Sequence, residues 1–399
     1  MIRFLTAGES HGPALTAIID GIPAGLALRT EDIQHDLDRR RQGYGRGGRM
    51  KIEGDSVEIL SGVRHGRTLG SPVTLQIRNR DWERWQQAMS VDTIEDEGMV
   101  TIAADERLAQ TASVVAKPRP GHADLAGVLK YGHQDIRNVL ERASARETAA
   151  RVAVGAVARK LLMELGIEVI SGVFQIGQAK VTHIPADLAT YQKNVAESPV
   201  SSPDPEASRA MMDQIDQAKS CGDSLGGIIE VIASGVPVGL GSHVHWDKRL
   251  DARLSGALMS IPAIKGVSVG LGFQAAGMFG SEVHDPIRYN KEKGYYRETN
   301  NAGGIEGGMS NGEAIRIQLA MKPIPTLYKP LQTVNFHTKE TAEASVERSD
   351  SCAVPAAAVV AEAMTCWVLV EALLDKFGGD SLGELSTNVE NYWNTIRNS

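Results

Sequence analysis

The sequence has few cysteines and few aromatic residues, and these shortages exclude several classes of protein. Its 399 residues include only three cysteines, which fit neither a disulfide framework nor a zinc site. Aromatic residues make up 5% of the chain and the formal net charge is −7, so binding of nucleic acid by stacking and charge is disfavoured. No uninterrupted apolar run reaches the ~18 residues of a membrane span. We therefore expect a globular protein of the reducing cytoplasm, with no metal site and no membrane or nucleic-acid partner.

What the sequence does have is a concentration of arginine and glycine at residues 39–50 (RRRQGYGRGGRM). Five of these twelve residues are arginine and four are glycine. Arginine binds phosphates and carboxylates through a planar fork of donors, and glycine lets the backbone approach a ligand closely. The segment therefore predicts a loop that holds an anion carrying several charges.

Two other interpretations of this loop need to be weighed. A disordered Arg–Gly segment of the RNA-binding kind has the same composition and stays open on that ground. Gly43, Gly45 and Gly48 also satisfy the dinucleotide-binding pattern G-x-G-x-x-G. That pattern needs a hydrophobic strand before it, whereas here the charged end of a predicted helix over residues 31–41 precedes it. The dinucleotide interpretation therefore fails on context.

Two short segments place a histidine next to glycine. Residues 8–12 (GESHG) follow a predicted buried strand over residues 2–7, and residues 117–124 (KPRPGHAD) carry His122. One histidine of this kind is more often a turn residue without a role. A second in the same setting favours acid–base chemistry at neutral pH, for which imidazole is suited.

Two long helices are predicted beside these segments. Residues 142–148 (RASARET) are expected to begin an alanine-rich helix that ends near Leu165, with its first turns favouring anions. Residues 348–352 (RSDSC) precede a long apolar helix, so Asp350 is either its N-cap or a site residue. A third segment, residues 300–312, contains glycines that fit tight turns and a backbone wrapped around a flat ligand equally well.

The remaining pattern favours antiparallel sheets in one domain. Residues 50–77 alternate apolar and polar residues in short runs broken by glycine, which predicts hairpins rather than a parallel, doubly wound sheet. We expect a single domain over residues 1–399, with surface excursions near 80–112 and 195–209. The function of residues 80–112 is unreadable from their sequence.

Taken in order, these stretches resemble the chorismate synthase family. The matching motifs are residues 8–12, 39–50, 119–124, 144–148, 303–312, 322–326 and 348–350. Each is weak alone, whereas the ordered set is specific and covers nearly the whole chain. The resemblance implies an α/β (α+β) fold, a β-α-β sandwich in which antiparallel sheets enclose helices, and assembly as a homotetramer.

The resemblance also implies a reaction. It is the anti-1,4-elimination of phosphate from 5-enolpyruvylshikimate 3-phosphate to give chorismate, the last step of the shikimate pathway, which needs reduced FMN without net oxidation. A substrate with one phosphate and two carboxylates requires several fixed arginines. The implied substrate-binding residues are Arg40, Arg46, Arg49, Arg119, Arg146 and Arg348. The implied catalytic residues are Ser10, His11, His122 and Asp350.

A flavin site follows from the same resemblance. The implied contacts are Arg142, Ala143, Ser144, Pro262, Ala263, Gly307, Lys322, Pro323, Ile324, Pro325, Thr326 and Arg348. Two positions depart from the family pattern, because Ala143 stands where a second serine is common and Pro262 where a polar residue is common. Both departures predict weaker contacts to the flavin.

The source of reducing equivalents and the rival functions stay open. No Rossmann-type pattern is visible, which favours an external flavin reductase, although Arg40 and Arg46 are suited to meet the phosphate of NADPH. One rival is another phosphosugar or enolpyruvyl enzyme that binds anions without a flavin. The other is a nucleic-acid binder that uses the Arg–Gly loop.

Overall fold

The computed structural model of the chain describes residues 2–47, 54–93, 113–291, 294–346 and 350–397. The helices are α1 (Thr30–Arg41), α2 (Asp124–Tyr131), α3 (Arg137–Ala143), α4 (Thr148–Glu164), α5 (Leu188–Glu197), α6 (Pro205–Ser220), α7 (Leu250–Met259), α8 (Gly280–Val283), α9 (Val354–Phe377) and α10 (Leu382–Arg397). The strands are β1 (Arg3–Ala7), β2 (Ala14–Asp20), β3 (Val57–Ser61), β4 (Val63–Arg64), β5 (Arg67–Thr68), β6 (Val73–Arg78), β7 (Glu168–Ile176), β8 (Ala179–Lys180), β9 (Gly227–Ser234), β10 (Ile264–Val269), β11 (Ile287–Asn290), β12 (Gly294–Arg297), β13 (Ile305–Glu306), β14 (Met309–Ser310), β15 (Ile315–Met321), β16 (Gln332–Val334) and β17 (Thr341–Glu343).

Two antiparallel sheets enclose a layer of helices. One sheet has the order β1-β2-β6-β3 and the other has the order β10-β15-β9-β7-β8. Helix α4 packs on β2 and β6 of the first sheet, α9 packs on β7 and β9 of the second, and the two helices pack on each other. The predicted sandwich of antiparallel sheets around helices is confirmed.

Local patterns located the principal elements well. In β15, Ile315, Ile317 and Leu319 are fully buried and alternate with more exposed residues, as a two-residue period requires. Helix α9 is apolar along its length, begins with Pro355 in its first turn and ends at Gly378, as predicted. By length and composition it is the one helix among the described residues that could span a membrane. However, 89% of its most apolar 18-residue stretch is buried inside the fold. It is the core helix of the sandwich.

Several boundaries differ from prediction because tertiary contacts override the local pattern. Strand β1 is an edge strand rather than a buried one, and Leu5 is 74% exposed. The helix expected to start at Arg142 is interrupted, since α3 ends at Ala143 and one 3₁₀ turn, Ala145–Glu147, precedes α4.

The structure describes the second of the two expected surface excursions completely and the first only as far as residue 93. In the second, residues 195–209, α5 continues to Glu197 and α6 begins at Pro205, and Val200 and Ser202 between them are completely buried. The connection therefore carries both buried and exposed residues, and its assignment as a surface excursion stays a prediction. Of the first, residues 94–112 lie outside the described residues.

The close packing of α4 on α9 can be tested at Gly155. A Cβ atom there would overlap the Cβ and Cα of Ala363, so Gly155→Ala is expected to lower the free energy of unfolding by about 1–3 kcal/mol. At Gly256, an exposed position inside α7, an added Cβ atom would meet no other atom within 4 Å. Gly256→Ala is the matched control and is expected to raise the free energy of unfolding by about 0.5–1 kcal/mol through helix propensity. Urea denaturation measures both, and equal effects of the two variants would contradict the proposed packing constraint.

Candidate active site

A cavity of about 590 Å³ lies between the start of α9, the loop after α1 and the turn between α3 and α4. Its size is that of a typical small-molecule site. It is lined by sixteen of the residues that the sequence nominated, namely Ser10, His11, Arg40, Arg46, Arg119, His122, Ala143, Ser144, Arg146, Pro262, Ala263, Lys322, Ile324, Pro325, Thr326 and Asp350. These residues come from segments up to 340 positions apart in the sequence, and the fold brings them together around one cavity.

Asp55 holds two of the arginines in place. Its carboxylate accepts from Arg40 Nη1 at 3.2 Å and also from Arg146 Nη1. The Asp55 side chain is fully buried, and both arginines are about 5% exposed. Asn79 Oδ1 accepts from Arg146 Nε and Nη2 at 3.1 and 3.0 Å. Since a buried guanidinium stays charged, these contacts fix two positive groups at the cavity.

A third arginine comes from the Arg–Gly loop itself. Gly43 and Gly45 have φ angles of 119° and 86°, values that glycine adopts without strain. The turn carries Arg46 to Asp350, whose Oδ2 accepts from Arg46 Nη1 at 2.6 Å, while its Oδ1 accepts from the Gly47 N–H at 2.6 Å. Asp350 is therefore not the N-cap of α9, a position held by Ala353.

His122 belongs to a compact charged group. Its Nδ1 lies 2.5 Å from Asp124 Oδ1, and Arg119 Nε donates to Asp124 Oδ2 at 2.9 Å. Burial by itself raises the pKa of Asp124, but the hydrogen bonds from His122 and Arg119 outweigh it and hold that pKa well below its usual range. An ionised Asp124 only accepts hydrogen bonds, so Nδ1 of His122 carries the proton that it donates.

His11 is held in a similar way by a residue of α3. Glu141 accepts the backbone N–H of His11 at 2.9 Å, and both of its carboxylate oxygens lie 2.9 Å from His11 Nδ1. The Trp85 ring stacks on the imidazole with centroids 4.0 Å apart and an interplanar angle of 26°. Ser10 is buried beside this histidine, and its Oγ accepts from Ser144 Oγ at 3.3 Å.

The lining of the cavity also includes apolar side chains, a lysine and a strained backbone turn. Met259, Ile261, Ile264, Met321 and Val360 supply apolar surface. Lys322 Nζ donates to the carbonyl oxygen of Gly121. Burial lowers the pKa of Lys322, and the positive charge of nearby Lys265 lowers it further. Ala263 adopts a φ of 70°, a strained conformation for a residue with a Cβ, and its carbonyl oxygen accepts from the Lys322 N–H.

Some nominated residues do not line this cavity. Arg142 lies in the last turn of α3 and donates to the carbonyl oxygens of Thr6 and Gly8, which places it against β1. Gly307 sits in the two-residue turn between β13 and β14, with φ of 58°, which favours the tight-turn interpretation of that part of the glycine-rich segment. Pro323 is exposed. Arg49 and Arg348 lie outside the described residues.

Four residues that hold the site were missed in the sequence, namely Asp55, Asn79, Glu141 and Trp85. Each acts on a partner that is distant in the chain, such as the 130 positions between His11 and Glu141. Asp55 follows Gly54 in what looks like an ordinary turn, and no local pattern distinguishes it. Glu141 directly precedes Arg142 in a segment already nominated, which was the one available signal.

Comparison with known proteins agrees with the motif order. A family model described as chorismate synthase matches residues 2–374. The chain is 56% identical to "Chorismate synthase" of Desulforudis audaxviator (100% of this chain, 98% of that protein) and 56% identical to "Chorismate synthase" of Geobacter sulfurreducens (100% of both). A solved structure described as "Crystal Structure of Chorismate Synthase" aligns with a TM-score of 0.78 and 44% identity, over 100% of this chain and 99% of that one. All four matches span the segments that form the cavity.

Proposed function

Because the chain belongs to the chorismate synthase family, whose members are carbon–oxygen lyases acting on phosphates, we propose that it eliminates phosphate from 5-enolpyruvylshikimate 3-phosphate to form chorismate with the aid of reduced FMN. The observation that carries the proposal is the convergence of fixed arginines and two oriented histidines on one cavity that also has apolar lining residues. This lining suits a ligand with three anionic groups bound next to a flat ring.

The arginines bind the substrate. Arg40, Arg146 and Arg46 are held by carboxylates at fixed positions, so little side-chain entropy is lost when an anion binds. Their planar donors match the phosphate and the two carboxylates of the substrate. Asp350, with both oxygens engaged, orients Arg46 and the Gly47 N–H, and its predicted role as a proton relay stays a prediction.

His122 acts on the leaving phosphate. With Nδ1 donating to Asp124, its Nε2 is the nitrogen that a ligand in the cavity can meet. In its imidazolium form, in which Nε2 also carries a proton, His122 can protonate or hydrogen-bond the phosphate as the C–O bond breaks. Arg119 also contacts Asp124 and helps to hold the His122–Asp124 pair in place. Ser10 and His11 face the same cavity and are assigned to the substrate and flavin.

The residues present fit a flavin. The apolar lining residues, such as Met259, Ile261 and Val360, suit the ring system, and the arginines suit its phosphate. Arg46 Nε is buried and has no hydrogen-bond partner among the described residues, a donor that a bound anion would satisfy. Reduced FMN, when bound, would lend an electron to the substrate and recover an electron together with the C6 hydrogen, so that phosphate leaves with no net oxidation. Ala143 and Pro262 line the cavity, and the weaker flavin contacts that they predict remain a prediction.

Anaerobic turnover tests the proposal directly. The protein is mixed with 5-enolpyruvylshikimate 3-phosphate and chemically reduced FMN, and chorismate is followed by absorbance. We expect product with reduced FMN, and none with oxidised FMN or without flavin. Product without flavin would favour a flavin-free enolpyruvyl enzyme, and no product with any flavin would overturn the proposal. Nucleic acid that co-purifies, seen as a high 260/280 nm absorbance ratio, would support the Arg–Gly loop as a nucleic-acid binder.

The same assay addresses the reductant. Arg40 and Arg46 line the proposed substrate cavity and are tied to Asp55 and Asp350, which supports a role in substrate binding rather than a separate NADPH site. We therefore propose that an external reductase supplies reduced FMN. NADPH and oxidised FMN, without an added reductase, are expected to give no chorismate. Chorismate formed in that mixture would contradict the proposal of an external reductase.

We also propose the homotetramer that the family resemblance implies. Large apolar side chains are exposed on the segment that contains α8 and the β11–β12 hairpin, including Phe273 (89%), Phe279 (80%) and Tyr295 (63%). Exposed apolar side chains of this size are suited to contact a second copy of the chain. Light scattering at micromolar concentration measures the mass, and a monomeric mass would contradict the assembly.

A further inference from the structure

The imidazole of His11 is contacted on one edge and one face by two residues that have no assigned role. Glu141 lies on the edge and is buried, with its side chain 2% exposed. Besides the contacts of its carboxylate to Nδ1 and to the His11 N–H, its carbonyl oxygen accepts the Ser10 N–H at 3.1 Å. One glutamate therefore holds both the ring and the backbone of the loop at residues 10–11.

The charge of Glu141 decides which nitrogen of His11 carries the proton. Burial alone raises the pKa of Glu141, but the hydrogen bonds from His11 and the charge of Arg137 more than offset it and lower that pKa. The group is therefore a carboxylate at neutral pH and can only accept hydrogen bonds. Nδ1 must then donate, and Nε2, which no described residue hydrogen-bonds, is the nitrogen left for a ligand.

Trp85 fixes the plane of the ring. Its indole stacks on His11, and the Arg137 guanidinium lies 5.1 Å from the centroid of the Trp85 ring. Arg137 also lies 3.7 Å from Glu141, so the stack and the carboxylate share one cation. Trp85 belongs to the excursion whose role was unreadable from the sequence.

We propose that Glu141 and Trp85 are positioning residues that hold the Nδ1–H of His11 against the Glu141 carboxylate and leave Nε2 as the nitrogen presented to the cavity. A carboxylate that accepts a hydrogen bond from one ring nitrogen of a histidine generally fixes the orientation and tautomer of the ring, and thereby which nitrogen faces the ligand. With Nδ1 held in this way, Nε2 is the atom that meets the bound molecule, as an acceptor in the neutral ring and as a donor in the imidazolium. Only the kinetic consequence rests on the proposed function, since the tautomer is a property of the protein alone.

The first test reads the tautomer without any turnover. The protein is labelled with ¹⁵N-histidine, and the His11 resonances are assigned by comparison with His11→Asn. In the wild-type protein, at a pH where the ring is neutral, we expect Nδ1 to give the signal of a protonated nitrogen and Nε2 that of an unprotonated one. In Glu141→Gln, whose amide can donate as well as accept, we expect a mixture of tautomers. The wild-type pattern retained in Glu141→Gln would overturn the proposal, provided that the variant is folded by circular dichroism.

The second test separates positioning from folding. Under the turnover assay, Glu141→Gln and Trp85→Ala are expected to lower kcat by about 10- to 100-fold, the usual cost of losing a group that orients a site residue, with little change in KM. Trp85→Phe keeps an aromatic face and is expected to recover most of the activity. Trp82→Ala, a neighbouring tryptophan without a ring contact to His11 among the described residues, is the matched control and should retain the wild-type kcat. Unchanged kcat in Trp85→Ala would remove Trp85 from the proposal. A wild-type protein without turnover would overturn the proposed function and leave the tautomer result standing.

Discussion

Replacing Asp55 with alanine is expected to lower the free energy of unfolding by about 3–5 kcal/mol, the usual cost of removing one partner from a buried ion pair. Asp55 is fully buried and is the carboxylate to which both Arg40 and Arg146 donate. Its loss leaves two buried guanidiniums without this shared acceptor. Urea denaturation followed by circular dichroism measures the effect.

The same change should weaken substrate binding, because the two arginines lose the geometry in which they meet an anion. For Asp55→Asn, which keeps the shape and loses the charge, we expect the Kd for 5-enolpyruvylshikimate 3-phosphate to rise about 100-fold, or about 2.7 kcal/mol. Isothermal titration calorimetry measures the change on the folded variant.

Asp38→Ala is the matched control for both measurements. Asp38 lies on the same helix as Arg40, pairs with Arg41 at 3.3 Å, and has a side chain that is 47% exposed. Exposed pairs contribute little, so its unfolding free energy should change by at most about 1 kcal/mol and its Kd should not change. If Asp55→Ala behaved like Asp38→Ala, the account of Asp55 as the anchor of two substrate-binding arginines would be wrong.

Replacing His122 with alanine is expected to lower kcat by about 10²- to 10⁴-fold, the range typical of a general acid. KM should change less, since the arginines supply most of the binding contacts. The physical reason is that the phosphate must leave with its negative charge met by a donor, and the His122–Asp124–Arg119 group is placed at the cavity to supply one. Steady-state kinetics under anaerobic conditions with reduced FMN separates the two parameters.

The chain supplies a matched control for this change as well. His245 also contacts an aspartate two residues later, Asp247, through Nδ1 at 2.7 Å, but its side chain is 64% exposed and does not line the cavity. His245→Ala should keep wild-type kinetics. Full turnover by His122→Ala would remove His122 from the chemistry, whereas equal losses in both variants would point to a general effect of removing a His–Asp pair.

The contacts that sequence reasoning did not predict are partly local and partly long-range. The break at Ser144 is invisible locally, because the residues around it favour helix, and the structure instead uses the Ser144 hydroxyl to accept the Arg146 N–H. Arg142 is assigned to the flavin by the family resemblance, and that assignment stays a prediction, while the structure places its guanidinium against β1. Trp85 carried no usable signal, since its partner His11 lies 74 positions earlier in the chain.

The sequence by itself determined the local elements of structure and the set of residues available for binding and catalysis. The apolar run of α9, the alternation in β15, the glycines of the Arg–Gly loop and the ordered motifs specify local structure and family, because each depends on residues close together in the chain. Only the tertiary structure decided which arginine meets which carboxylate, and which groups orient the two histidines. Those pairings form when the sheets close around the helices and bury charges that must then find partners, and no local pattern encodes that requirement.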